Sequence, residues 1–279
     1  MTTLAEVPTG KSFISRVGWT WHDGLVVTKR NLLQTTRVPE LLLFSTLQPV
    51  MFVLLFAYVF GSAIPIPGGG NYREFLMAGI FVQTIAFNGA ATAVGVADDM
   101  HKGLVDRFRS LPMARSAVLI GRTVADAVRG VLVLAIMSVC GLLVGWRINN
   151  GFVQAVLAYL LILAFGYAMS WVGAWIGLMA PNAEVANTAG FIWLFPLTFL
   201  SNAFVPLQGM PPVLQTIATW NPVSSVVSAA RELFGNPNPY VGTALPERYP
   251  VLFSVIWITV ILVVFVPLAV RRYRLATSR

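Results

Sequence analysis

Six long stretches of the chain carry no Asp, Glu, Lys or Arg: Leu41–Tyr72, Phe75–Ala97, Gly130–Trp146, Ile148–Ala183, Val185–Ala230 and Tyr249–Val270. A helix needs about 20 apolar residues to cross the hydrocarbon core of a bilayer. These runs therefore limit the chain to an all-α integral membrane protein. Composition agrees. Charged residues make up 11% and hydrophobic residues 57%, against about 25% charged in a soluble domain. The third run is short. It is expected to extend backwards through Arg122, Asp126 and Arg129, with Asp126 paired to both arginines at spacings of four and three.

The fifth run is too long for one helix and barely enough for two. Pro196, Pro206, Pro211, Pro212 and Pro222 interrupt it, and proline in a helix interior costs a backbone hydrogen bond. The distribution of basic residues decides between the readings. Six spans with the N-terminus inside put Lys11, Arg16, Lys29, Arg30, Arg37, Lys102, Arg107, Arg109, Arg115, Arg122 and the tail from Arg271 to Arg279 in the cytoplasm. Only Arg73, Arg147, Arg231 and Arg248 are then outside. A seventh span would export the basic tail. The expectation is six transmembrane helices in the inner membrane, both termini cytoplasmic, with re-entrant helices before the last span.

Residues 1–11 read as a disordered N-terminus. Residues 12–37 read as an amphipathic interfacial helix, with Phe13, Ile14, Val17, Trp21, Leu25 and Val26 on its apolar side. Residues 38–279 form the transmembrane domain, in which Pro49 should kink the first span. The first 38 residues lack the apolar core of a secretory signal.

Several activities lack their residues. TGKS at Thr9–Ser12 has Ala5 where a phosphate-binding loop needs its first glycine. Neither His22 and His101 nor the single cysteine, Cys140, forms a cluster with metal-ligand spacing. The chain is expected to be no enzyme and to hold no cofactor or metal of its own. The net charge of +8 follows the topology and does not mark a nucleic-acid site.

The loop Asp98–Arg122 mixes Phe108, Leu111 and Met113 with Asp106, Arg107, Arg109 and Arg115. Such a mixture suits docking into a cleft of another protein, apolar points anchoring and charges orienting; it also suits a solvated loop kept basic for topology. Within the spans, Gln83, Thr84 and Asn88, then Ser170, Ser201 and Asn202, mark either a translocation path or interhelical hydrogen bonds. Phe81, Phe87, Trp193, Phe195 and Phe199 are candidates for an apolar lining. Trp171, Trp175 and Trp193 read equally as lipid-facing or interfacial anchors. Gly141–Gly145 and Gly173–Gly177 have the spacing for close helix contact. With Asp126 the sole intramembrane acid, ion coupling is unsupported.

Three stretches carry a resemblance: GLVDRFRSLPMAR (Gly103–Arg115), RVPELLLFSTLQPVMFVLLFAYVFG (Arg37–Gly61) and NPVSSVVSAARELFG (Asn221–Gly235). Together they resemble the type-2 ABC permeases, in particular their daunorubicin-resistance, multidrug-export branch. The resemblance implies six spans with an N-terminal interfacial helix and re-entrant outer helices. It implies a second permease subunit, identical or paralogous, and two copies of a cytosolic ATPase that bind ATP and Mg. Asp106, Arg107, Phe108, Arg109 and Arg115 would then belong to a coupling helix seated on the ATPase, and Glu184 to a second contact. Gln83, Asn88, Trp193, Phe195 and Phe199 are the residues assigned to the path. The cargo would be a drug, antibiotic or lipid. The alternatives are export of a polysaccharide-type polymer, or a membrane scaffold or ion-coupled carrier that works alone.

Overall fold

The computed structural model describes residues 28, 39–59, 61, 64–102, 117–239 and 244–276. Among these there is no strand. The helices are α1 (Pro39–Val59), α2 (Tyr72–His101), α3 (Ala117–Val144), α4 (Phe152–Gly177), α5 (Ala183–Phe199), α6 (Pro212–Thr219), α7 (Pro222–Phe234), α8 (Leu245–Arg248) and α9 (Pro250–Ala276). Four of them, α2, α3, α4 and α9, are long and apolar enough to cross a membrane. The 12–37 helix and the Gly103–Arg115 loop lie outside the described residues, Thr28 excepted. The Thr28 hydroxyl is buried and donates to the Gly121 carbonyl of α3 at 3.0 Å.

Burial ranks the long helices. The most apolar window of α2 is 67% buried and that of α9 only 17%, so α2 is the axis of the bundle and α9 a peripheral helix. α2 packs on α1, α3, α4, α5 and α7. The outward faces stay apolar: Val131, Leu132, Val139 and Leu143 on α3, and Leu252, Val255, Val263 and Val264 on α9, are exposed. A helix apolar on both sides needs lipid as its outer solvent.

Local signals set the helix ends. The Asn71 side chain caps α2 by accepting from the Arg73 amide at 2.9 Å, and Asn182 caps α5 through the Val185 amide at 2.8 Å. α3 stops at Gly145, whose φ of +104° only glycine adopts readily. The Trp146 amide then reaches back to the Gly141 carbonyl at 2.9 Å. Gly141–Gly145 thus forms a helix terminus, and Gly141 also makes a close approach to α2, where an added Cβ would stand 2.6 Å from the end of the Met77 side chain. Gly173–Gly177 makes the close helix contact expected from its spacing: a side chain at Gly173 would strike the Gly89 carbonyl of α2, and one at Gly177 the Ala93 carbonyl. Trp171 is buried, 2% exposed, which removes the lipid-anchor reading for that residue.

α7 has 13 residues, roughly 20 Å at 1.5 Å per residue, short of a hydrocarbon core of about 30 Å. Both of its ends sit at the same end of the bundle. At its start, Asn221 donates to the Leu197 and Leu200 carbonyls, each at 2.7 Å. At its finish, the Asn150 amide donates to the Glu232 carbonyl at 2.7 Å from the α3–α4 connection. The start of α2 and the end of α3 lie there too, tied by Arg73 Nη1 to the Val144 carbonyl at 3.0 Å.

Arg231, read from sequence as an outer-side charge, is completely buried on α7. Its Nε donates to the Phe75 carbonyl at 2.8 Å, and its Nη2 to the Asn202 and Ala203 carbonyls at 2.9 and 3.1 Å. The guanidinium carbon is 3.4 Å from the Phe75 ring centre. One side chain therefore holds α7, the first turn of α2 and the 200–206 segment together.

A cleft over the central helix as the candidate functional site

α1, α3 and α5 all pack on α2 and leave between them a cleft of about 280 Å³. The α2 wall carries Gln83, Thr84, Phe87, Asn88, Ala90 and Ala91; steps of three and four bring residues such as Gln83, Phe87 and Ala91, or Thr84, Asn88 and Ala91, onto one helix face. α1 adds Gln48, Pro49 and Phe52, α3 adds Arg129 and Val133, and α5 adds Asn187 and Phe191. Phe87 and Phe191 meet edge to face at 5.6 Å, closing one side with an apolar wall.

The charged part of the cleft comes from α3. Arg129 Nη1 lies 3.2 Å from Asp126 Oδ1, and the Thr92 hydroxyl donates to Asp126 Oδ2 at 2.7 Å. The Asp126 side chain is 4% exposed and that of Arg129 27%, so the cation faces the cleft and the anion stands behind it. Arg122 does not share Asp126 as expected. It turns to Asp99 on α2, Nη1 to Oδ2 at 2.6 Å, through space that Gly95 leaves open.

Of the residues assigned to a path, the structure brings Gln83 and Asn88 into the cleft. Trp193 is half-buried against the core. Phe195 and Phe199 stack at 4.4 Å, one and two turns beyond Phe191 on α5, and are 52% and 39% exposed. They connect to the cleft indirectly: Phe199 packs on Phe204 at 5.3 Å, Phe204 on Phe56 at 5.0 Å, and Phe56 on the cleft residue Phe52 at 5.8 Å. Ser170 and Asn202 satisfy local partners instead, Gly166 O at 3.1 Å and Ser228 Oγ at 2.7 Å. Sequence reasoning missed Gln48, Asn187 and the cleft-facing role of Arg129. The signal for Asn187 was its spacing of four from Phe191. Glu184 is exposed in the first turn of α5, where its charge suits the helix dipole. Asp106, Arg107, Phe108, Arg109 and Arg115 lie outside the described residues.

The model of the family described as ABC-2 type transporter matches residues 24–234, from before α1 to the end of α7. The chain belongs to the ABC-2 type transporter family. A daunorubicin resistance ABC transporter permease protein, DrrB1, from Streptomyces coeruleorubidus is 35% identical over 246 residues, covering 88% of this chain and 83% of its own. A probable doxorubicin resistance ABC transporter permease protein, DrrC, from Mycobacterium tuberculosis (strain ATCC 25618 / H37Rv) is 24% identical over 263 residues, covering 91% and 89%. A putative transport permease, ycf38, from Cyanophora paradoxa is 24% identical over 226 residues, covering 80% and 77%. As an ABC-2 permease, the chain is a membrane-spanning transport component, and its family associates with an ABC ATPase subunit. The buried Arg231 falls inside the matched stretch, and so does every wall of the cleft.

Proposed function

We propose that this ABC-2 permease exports hydrophobic or amphipathic compounds, of the drug, antibiotic or lipid class, through a path that includes the cleft over α2. The observation that carries the reading is the cleft itself: polar side chains gathered with aromatic ones between helices whose outer faces are apolar. Pockets of this composition bind small amphipathic molecules. The resistance functions printed in the names of its relatives favour the same cargo class.

In this reading six helices span the inner membrane: α1, α2, α3, α4, α5 and α9. α6 and α7 are the re-entrant pair, and the non-helical backbone around them is tolerable because it packs against protein. Both termini are cytoplasmic. The energy comes from two copies of a separate ATPase carrying ATP and Mg, gripping Gly103–Arg115, with Glu184 at a second contact. A second permease subunit completes the path. ATP-driven closure of the ATPases then shifts the cleft between inward-open and outward-open states. Asp126, ion-paired to Arg129, offers no support for ion coupling.

Changing Arg107 or Phe108 to Glu is expected to lower export about tenfold or more, the loss of a docking hot spot, while membrane abundance stays at the wild-type level. The check is cargo efflux from cells or proteoliposomes holding permease and ATPase together. Wild-type efflux from both variants would remove the docking assignment.

A further inference from the structure

We propose that one buried water molecule, held between Asn202, Ser224, Ser228 and Glu247, fastens α8 and the start of α9 to α7 and the 200–206 segment. This site shares no described wall with the cleft over α2 and does not depend on what the cleft carries.

Unmatched donors and acceptors are the ground. Asn202, Thr219, Ser224, Ser228 and Glu247 are among the described walls of a cavity of about 10 Å³. That is room for about one water molecule and too little for any cargo. Asn202 is 2% exposed, and its side-chain Oδ1 has no hydrogen-bond partner. Its other donors are used: the backbone amide donates to Ser224 Oγ at 3.1 Å and Nδ2 to Ser228 Oγ at 2.7 Å. Each serine hydroxyl therefore accepts a bond and still carries a proton to give, and neither proton has an acceptor among the described residues. Glu247 supplies a second acceptor. Its Oε1 receives the Thr219 hydroxyl at 3.5 Å, a weak contact by the usual geometry. Two protons to give and two acceptors match the four bonds that one water can make. A metal ion fits less well. It would use the oxygen lone pairs and strand both hydroxyl protons. It would also stand near the buried Arg231, whose Nη2 is 2.9 Å from the Asn202 carbonyl. The bridge matters because α8 is thinly held. It has four residues and buries Pro246, and among the described residues the long Thr219 bond is the one hydrogen bond its side chains make to another element. Tyr249 alone separates α8 from α9, so whatever fixes α8 fixes where α9 starts.

The test begins with the wild-type full chain in nanodiscs and an electron cryomicroscopy map sharp enough to show ordered water. One peak is expected in the cavity, about 2.7–3.0 Å from its partners, the spacing of hydrogen bonds. An empty cavity overturns the proposal, and so does a peak at about 2.3–2.6 Å, the spacing of a hard cation. The unfolding midpoint should be the same in sodium chloride and choline chloride at equal ionic strength; a midpoint raised by sodium also overturns it. Hydrogen exchange then reads the fastening at the Arg248 and Tyr249 amides, which bond to the Ala244 and Leu245 carbonyls. Glu247→Met and Asn202→Leu should each speed their exchange about tenfold, the scale of one hydrogen bond, with the α3 amides unchanged. Asn202→Leu decides, because no hydrogen bond joins Asn202 directly to α8 among the described residues. Wild-type exchange in that variant removes the bridge, and equal speeding in α3 shows general loosening in its place. Where Asn202→Leu fails to insert, Ser224→Ala takes away one donor to the water and should speed the same amides. Wild-type exchange there overturns the proposal equally.

Discussion

Arg231→Ala is expected to leave little folded protein in the membrane. The wild-type guanidinium donates to three carbonyls, from Phe75, Asn202 and Ala203, and lies over the Phe75 ring. Alanine removes every one of these donors and leaves a guanidinium-sized hole. A buried group that loses its hydrogen-bond partner costs about 1–3 kcal/mol, and large-to-small changes in a packed core cost about 2–5 kcal/mol. Removing the charge also relieves a desolvation cost, which offsets only part of that loss. The net, about 4 kcal/mol, is a large share of the roughly 5–15 kcal/mol that holds a domain folded. Arg231→Met separates the causes: it keeps most of the volume and drops the donors, so it should fall between alanine and the wild type. Arg231→Lys should also be impaired, because one ammonium cannot fork between Phe75 on one side and Asn202 on the other. Arg147, which is exposed and donates to the Leu142 and Trp146 carbonyls where water can replace it, provides the contrast, and its alanine variant should cost about 1 kcal/mol or less. Membrane abundance and thermal unfolding in detergent give the comparison. An Arg231→Ala protein that matched the wild type in both would show that this side chain does not hold the three segments together.

Arg231 also shows where a sequence becomes unreadable. The helices themselves are legible, because lipid excludes charge: Phe75–Ala97 lies within α2, Ile148–Ala183 contains α4, and Tyr249–Val270 lies within α9 but for its first residue. The backward extension of the third run through Arg122, Asp126 and Arg129 is likewise helical, since α3 begins at Ala117. What spacing along one chain cannot supply is the partner across the bundle. Arg122 and Asp126 are four apart and fit one helix face, yet Arg122 chooses Asp99 on α2. A lone arginine after SSVVSAA reads as a topological charge; the small residues before it were the hint of close packing, and α7 is buried along nearly its whole length. The cleft is legible to the extent that it lies on α2, where Gln83 and Asn88 interrupt an apolar run. Gln48, Arg129 and Asn187 come from three other helices, and which of their faces meet is a tertiary fact. Phe195 and Phe199 have the right chemistry for a lining and follow Phe191 at steps of four, but they lie one and two turns further along α5 and do not line the cleft.

The seam between α2 and α4 supplies the second large effect: Gly173→Leu should open it and cost stability and export together. A side chain at Gly173 meets the Gly89 carbonyl, and the neighbouring approaches are just as close. A Cβ at Gly89 would stand 2.7 Å from the Met169 carbonyl, one at Gly166 would strike Ile85, and one at Gly177 would strike Ala93. The obstacle at Gly173 is helix backbone, which does not swing aside, so the two helices must separate to admit even a methyl group. Overpacking typically costs about 1–3 kcal/mol, which sets the expectation for Gly173→Ala; leucine should exceed it. Because α2 also forms the floor of the cleft, displacing it moves Gln83 and Asn88 relative to Arg129, and cargo binding should fall in the protein that still folds. Gly95 tests the reasoning. Its nearest neighbour is also very close, but it is the tip of the Arg122 side chain, which can rotate away at the cost of its ion pair with Asp99. Both partners, 20% and 19% exposed, remain after the substitution and can re-form the contact, because the guanidinium sits at the end of a flexible side chain. Gly95→Ala should therefore be milder than Gly173→Ala, and Gly209→Ala, with nothing within 4 Å, should not differ from the wild type. Unfolding midpoints in that order, Gly209 above Gly95 above Gly173, would establish that backbone contact along α2 and α4 sets the tolerance of each glycine; a Gly173→Ala protein as stable as the wild type would mean the two helices do not touch there.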